Sequence, residues 1–332
     1  MRSLNWGVLG TARINRSVIP AIQAGRRSTL TAIASRELSR AETFARDWKI
    51  PQAYGRYEDL LADETIDAVY IPLPNHLHAS WTIAAARAGK HVLCEKPLAL
   101  TTDDVDRIAM AGRDHSVVIT EAFMYRHHAQ TRRIQALVAE GALGDLRFIG
   151  GSFTFPLTRE GDVRLRPEWG GGSLWDVGCY PVSYARLIAG ADPRSVSGQA
   201  EIGPTGIDIA FAGTLQFPGG LLAGFDSGFS AAFRTSLEIV GTTGTLVVPN
   251  PYKPGLVERL HLARDGASLD IDVEGDALYV GEIADMEAAA IDGRPPAVGL
   301  TDSRGTVATL VALHASAAAG TRVVITPVVA GL

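Results

Sequence analysis

Two stretches of the chain hold side chains whose types and spacing could do chemistry. In AGKHVLCEKPLA, residues 88–99, an apolar run stops at Glu95 and Lys96, and Pro97 then fixes the backbone. A lysine held at the mouth of a cleft can stabilise a developing oxyanion or favour the ionised form of a neighbouring acid. The same pattern also suits a plain surface turn. In GGGSLWDVGCYPVSYARLIAG, residues 170–190, three glycines run into a helical pattern that sets Asp176 and Tyr180 four residues apart. On an α-helix that spacing puts a carboxylate and a phenol on one face, able to share a hydrogen-bond network with a reacting hydroxyl. Two polar residues on a solvated face would read identically. The pairs His76/His78 and His127/His128 lack the accompanying carboxylates or cysteines that metal ligation needs. PLPNHLH reads instead as a loop that caps the following helix and lies along a cofactor.

These residues need elements to position them. The runs at 4–10, 30–35, 67–72, 90–95 and 116–122 are apolar without polar alternation, as strands buried on both faces should be. Helical stretches separate them, and Gly89 supplies a C-terminal stop signal for one of these. The alternation predicts βαβ units and a parallel sheet with helices on both faces. After about residue 145 the rhythm changes. Strand-like runs separated by Gly, Pro or Asp turns predict a mostly antiparallel sheet, with helices over 171–190 and 301–320. The expected fold class is α/β: a Rossmann dinucleotide-binding domain over 1–122, then an α+β domain over 123–332 for substrate binding and oligomerisation.

In an open parallel sheet, ligands bind beyond the carboxyl ends of the strands. Those ends are Gly10-Thr11-Ala12-Arg13 leading into Ile14, Ser35-Arg36, Pro72-Leu73-Pro74-Asn75, Glu95-Lys96-Pro97 and Glu121-Ala122. Gly10 fills the first position of a G-x-G-x-x-G fingerprint, whereas Ala12 and Asn15 replace its other two glycines. Backbone N–H groups at the start of the helix can still approach a pyrophosphate. An acidic residue at the second strand end would select the ribose hydroxyl of NAD. Ser35 and Arg36 offer a hydroxyl and a guanidinium suited to a 2′-phosphate, so the expected cofactor is NADP, with NAD as the alternative.

The bulk numbers exclude several partners. A net charge of −5 with scattered Lys and Arg favours neither nucleic acid nor an anionic membrane. No run reaches ~18 uninterrupted apolar residues, so no membrane span is expected. The opening residues lack the apolar core of a signal peptide, and Cys94 and Cys179 are the only cysteines. The expected location is the reducing cytoplasm.

Read together, GVLGTARI, PLPNHLH, AGKHVLCEKPLA and GGGSLWDVGCYPVSYARLIAG resemble the glucose–fructose oxidoreductase/inositol dehydrogenase (Gfo/Idh/MocA) family over essentially the whole chain. A tyrosine at 180, where many inositol-dehydrogenase-like members carry histidine, resembles the branch containing D-xylose dehydrogenases, glucose–fructose oxidoreductase and dimeric dihydrodiol dehydrogenase. The resemblance implies that Lys96, Asp176 and Tyr180 are catalytic, with Tyr180 exchanging the hydroxyl proton beside the Lys96 ammonium. It implies cofactor contacts from residues 10–14, Ser35, Arg36, Pro72, Leu73, Asn75, His78, Glu95, Lys96 and Ala122. Tyr125, Arg166 and Trp169 would join the catalytic three around a sugar or keto-sugar. A trans-dihydrodiol substrate, or a non-catalytic dinucleotide-sensing regulator, are the alternatives. Relatives pair through the C-terminal sheet, which implies a homodimer or homotetramer.

Overall fold

The computed structural model describes residues 2–325 and divides into two compact units. Among the described residues, the first comprises 2–127 together with Ala277–Arg304, and the second comprises 128–276 and 305–325.

In the first unit six parallel strands form one sheet: β1 (Leu4–Leu9), β2 (Ser28–Ala34), β3 (Gln52–Tyr54), β4 (Ala68–Ile71), β5 (His91–Cys94) and β6 (Ile119–Glu121), in the order β3-β2-β1-β4-β5-β6. The order reverses between β1 and β4, which sets the switch point there. Helices α1 (Asn15–Ala24), α2 (Leu38–Trp48), α3 (Tyr57–Ala62), α4 (Asn75–Arg87) and α5 (Thr102–Asp114) connect the strands. The five apolar runs coincide with β1, β2, β4, β5 and β6. β3 is three residues, Gln-Ala-Tyr, none of them buried, so no apolar run marks it. Thr101 starts α5, its Oγ accepting from the Asp104 N–H at 3.1 Å.

The rest of this unit comes from far along the chain. Helix α8 (Val280–Asp292) buries Ile283 and Met286 in the same core as Trp6, Val8, Tyr70 and Leu93. Glu287 on α8 accepts from the Arg27 N–H and the Ser28 hydroxyl, and Arg27 forms a two-pronged ion pair with Asp292. Local pattern cannot announce which sheet a helix will cover, because that depends on the apolar face left open after the βαβ units close.

The second unit opens with α6 (Ala129–Ala139) and carries a nine-stranded sheet ordered β14-β13-β12-β11-β7-β10-β9-β8-β15. Its strands are β7 (Leu146–Thr154), β8 (Ser195–Ile202), β9 (Asp208–Gln216), β10 (Leu222–Gly228), β11 (Arg234–Gly241), β12 (Gly244–Val248), β13 (Val257–Arg264), β14 (Ala267–Glu274) and β15 (Val323–Val324). All neighbours pair antiparallel except β7 with β10. The β13–β14 hairpin turns through Asp265-Gly266, both at positive φ. That Asp-Gly step is the sequence signal for a hairpin that the strand reading passed over. Helices α7 (Cys179–Ala189) and α9 (Leu300–Ala319, of which residues from 305 on belong to this unit) flank the sheet. Gly198 and Gly213 make room for α9: a Cβ on either would come within about 3 Å of Leu313. No helix of the described residues is long and apolar enough to cross a membrane.

One buried acid organises the entry to α7. The Asp208 carboxylate accepts from the Ser173 hydroxyl at 2.8 Å and the Leu174 N–H at 2.7 Å. Gly172, at φ +118°, must lack a side chain because a Cβ there would run into that carboxylate. Burial pushes the Asp208 pKa up to about 6, against the pull of these donors. A carboxyl whose folded pKa exceeds its unfolded value is fully compatible with folding below about pH 4 and costs stability as pH rises toward 6. Relative to Asp208→Asn, the wild-type protein should therefore lose up to about 3 kcal/mol between pH 4 and 7. Urea denaturation across that range checks this, and a difference that does not change with pH refutes it.

Candidate functional site

In the first unit the candidate residues collect along the carboxyl edge of the sheet. Gly10 ends β1 with φ +113° and donates its N–H to Ala34. Any Cβ there would come 3.0 Å from Leu73 Cδ2, so the backbone lies open where a side chain would otherwise stand. Asn15, in place of a third glycine, is fully buried and donates from Nδ2 to the Gly10 carbonyl at 2.8 Å, holding the turn closed. Thr11, Ala12 and Ile14 are partly exposed and Arg13 is exposed. This cradle fits a dinucleotide pyrophosphate.

At the end of β2, Ser35 is buried and Arg36 exposed. Tyr57, whose hydroxyl lies 3.8 Å from the position of a Gly10 Cβ, has its pKa raised by burial. The positive charges of Arg36 and Arg40 both act on it in the opposite sense. Two guanidiniums thus stand near the Gly10 turn. The sequence reading missed Arg40, which stands in the first turn of α2, four residues after Arg36 and across the extended Glu37.

The ends of β4 and β5 are tied together. Glu95 donates its N–H to Ile71 and accepts from the Tyr70 hydroxyl at 2.7 Å. Lys96 is partly exposed, its peptide bond to the buried Pro97 is cis, and Leu98 donates its N–H to Glu121 at 2.8 Å. His78 behaves differently from a residue facing a cofactor. It is fully buried, with Nδ1 2.7 Å from the Pro97 carbonyl oxygen and Nε2 2.6 Å from that of Leu73. Pro72 is buried, Asn75 starts α4, and Ala122 is buried with its N–H donated to Cys94. Tyr125, expected at the substrate, has no exposed surface and packs edge-on against Phe123.

In the second unit, Leu174–Gly178 wind as a π-helical turn before α7 begins. Asp176 and Tyr180 therefore straddle a junction between a π turn and an α-helix, and the simple one-turn spacing does not apply. Such turns often sit at functional positions. Asp176 is clamped by Arg164, whose Nε lies 2.6 Å from Oδ2 and whose Nη1 reaches Asp162 at 3.2 Å. The two carboxylates raise the Arg164 pKa, against burial, and so keep it cationic. Sequence reasoning missed Arg164, because its partner lies twelve residues on, across a glycine-rich loop. Tyr180 is 3% exposed and lies in an aromatic cluster, 5.4 Å from Phe153 and 5.6 Å from Tyr252 by ring centres. Gly151 allows this packing: a Cβ would meet Pro181 at 2.8 Å and the Tyr252 hydroxyl at 2.9 Å. Arg166 stacks over Trp169 at 4.8 Å and pairs with Glu168 at 3.5 Å, all at an accessible loop. Among the described residues no group of three or more His, Cys, Asp or Glu is arranged to hold a metal ion.

Comparison with known proteins places this geometry. Residues 4–123 match the model of an oxidoreductase family with an NAD-binding Rossmann fold, and residues 131–247 match the GFO/IDH/MocA C-terminal domain. The chain is 39% identical over 323 residues to a D-xylose 1-dehydrogenase (NADP(+)) of Haloferax volcanii, covering 96% of this chain and 98% of the relative. A trans-1,2-dihydrobenzene-1,2-diol dehydrogenase of Xenopus laevis is 33% identical, over 74% of this chain and 75% of its own. The crystal structure of a 3-ketoreductase from Actinomadura kijaniata, in complex with NADP and TDP-benzene, superposes with a TM-score of 0.91 at 31% identity, covering 95% of this chain and 98% of that one. With both units matched and full-length relatives well above 30% identity, the chain belongs to the Gfo/Idh/MocA oxidoreductase family.

Proposed function

We propose that the protein is an NADP-dependent oxidoreductase that moves a hydride between nicotinamide and a carbinol carbon of a sugar or keto-sugar. The observation that carries this reading is the full-length similarity to a D-xylose 1-dehydrogenase (NADP(+)), in a chain that keeps a lysine at the binding edge of its parallel sheet. In this reading residues 1–122 carry the cofactor and 123–332 the substrate. The Xenopus relative supports a trans-dihydrodiol as the second reading.

When bound, the nicotinamide supplies the hydride chemistry. The turn at residues 10–14 would hold the pyrophosphate, and Ser35, Arg36 and Arg40 the 2′-phosphate. Pro72, Leu73, Asn75, Glu95 and Ala122 would shape the remaining wall. The Tyr180 hydroxyl takes the proton from the substrate oxygen in oxidation and returns it in reduction. The Lys96 ammonium favours the phenolate and stabilises negative charge on that oxygen. Asp176, oriented by Arg164, accepts from a neighbouring sugar hydroxyl, while Arg166 and Trp169 border the sugar. Tyr125, being buried, backs the wall from behind.

The same reading puts the enzyme in a reducing cytoplasm, where the buried Cys94 and Cys179 stay thiols. It makes the enzyme a homodimer or homotetramer through the open face of the nine-stranded sheet. Phe148, Leu222, Val247 and Val257 are exposed on that face.

Lys96→Met and Tyr180→Phe should each lower kcat by about 10²–10⁴-fold with aldoses, followed at the nicotinamide absorbance band. NADPH binding, titrated by fluorescence, should stay within a few-fold of wild type. Turnover that survives both substitutions removes the proposed roles. Arg36→Ala/Arg40→Ala should weaken NADPH binding at least about tenfold and leave NADH binding nearly unchanged, since only the former carries the 2′-phosphate. Equal losses for both cofactors would argue against the phosphate assignment.

A further inference from the structure

We propose that His78 is a positioning residue for Lys96, fixing the turn that carries the lysine by bridging it to the end of the neighbouring strand. This rests on the catalytic reading of Lys96 given above.

Its ring stands between two backbone carbonyls from different loops, Leu73 after β4 at 2.6 Å and Pro97 after β5 at 2.7 Å. Pro97 is the residue immediately after Lys96, so its carbonyl reports the path of the turn. No part of the ring is exposed. A histidine that bound a cofactor would keep a ring edge accessible; both ring nitrogens here are engaged by the protein backbone.

The choice of imidazole has a chemical reason. A neutral ring carries one N–H, on either nitrogen, so one tautomer donates to Pro97 and the other to Leu73; only the imidazolium donates to both. Burial pushes the His78 pKa down to about 4, helped by the Lys96 and His76 charges, while the two carbonyls pull it back up. At neutral pH the uncharged ring donates to one of the two carbonyls at a time and stands packed against the other. It can remain enclosed beside the partly exposed Lys96 without burying a cation. A leucine would fill the space and leave both carbonyls without a donor, whereas a glutamine amide could still donate to one of them but has no rigid ring to stand between the two.

The experiment uses the full-length protein with His78→Leu and His78→Gln, alone and combined with Lys96→Met. Leucine at 78 should lower kcat by about 10²-fold, the scale of a small misplacement of a catalytic group, with NADPH affinity within about threefold of wild type. Glutamine should recover roughly tenfold of that loss. The double variant His78→Leu/Lys96→Met should be no slower than Lys96→Met alone, because a residue that acts through the lysine has nothing left to position. A merely structural residue would instead show losses that add. Additive losses, or full activity in a folded leucine variant, overturn the proposal. If the leucine variant does not fold, wild-type kcat in the glutamine variant overturns it.

Amide hydrogen exchange separates this failure from failure of the catalytic reading. Leu98 donates its N–H to Glu121 directly after the turn, and its exchange should accelerate at least about tenfold in the glutamine variant. Faster exchange with Lys96→Met still active would mean that the bridge holds and the lysine is not catalytic. Unchanged exchange would mean that there is no bridge.

Discussion

A strand buried on both faces must satisfy its backbone hydrogen bonds within the sheet, and this requirement governs the first unit. From β1 to β6 the ladder is parallel, so each strand ends at the same edge, and the first residues past the ladder gather there. Gly10, Ser35, Pro72, Glu95 and Ala122 mark those exits. The edge is then stiffened from behind. Asn15 closes the Gly10 turn, Tyr70 holds Glu95, Glu121 takes the Leu98 N–H, and His78 stands between two strand ends. Lys96 sits on a turn whose neighbours on both sides are tied, which suits a group that must hold a charge in place rather than search for it.

The second unit meets a different demand. Its sheet is mostly antiparallel, and its chemistry-bearing side chains stand on a helix entry beside the sheet. Glycines make that entry close enough to matter. Gly172 leaves room for the Asp208 carboxylate and Gly151 for Pro181 and Tyr252, so the π turn and the start of α7 press directly onto the strands. Asp176 and Tyr180 are then held by different means: the first by an ion pair with Arg164, the second by ring packing against Phe153 and Tyr252. The ion pair orients the carboxylate, and the ring packing fixes the plane of the phenol. Both arrangements suit residues that work on a substrate.

Several buried ionisable groups belong to the scaffold beneath the candidate residues. Glu282 and Tyr70 are fully buried, and burial raises both pKa values, with the Glu95 charge adding to the effect, so the ionised form of each is disfavoured. His314 is pushed down to about 4 by burial alone. Arg36, Arg40 and Lys96 remain at or near the surface, where a phosphate or an oxyanion can be met.

By itself the sequence determined most of the element types, the edge at which the parallel strands end, and the residue types with chemical capacity that stand there. Those features come from local physics: apolar runs without alternation, glycine at a positive-φ exit, a lysine-proline step after a buried strand. Tertiary structure alone decided what those residues touch. His78, from a loop that reads as cofactor-facing, is turned inward onto two carbonyls. Asp176 acquires Arg164, Ser173-Leu174 acquires Asp208, and α8 joins a sheet formed some two hundred residues earlier in the chain. None of these partners lies within a helical or strand repeat of the other. Periodicity encodes which face of an element is buried, whereas the partner buried against it depends on chain closure over long separations.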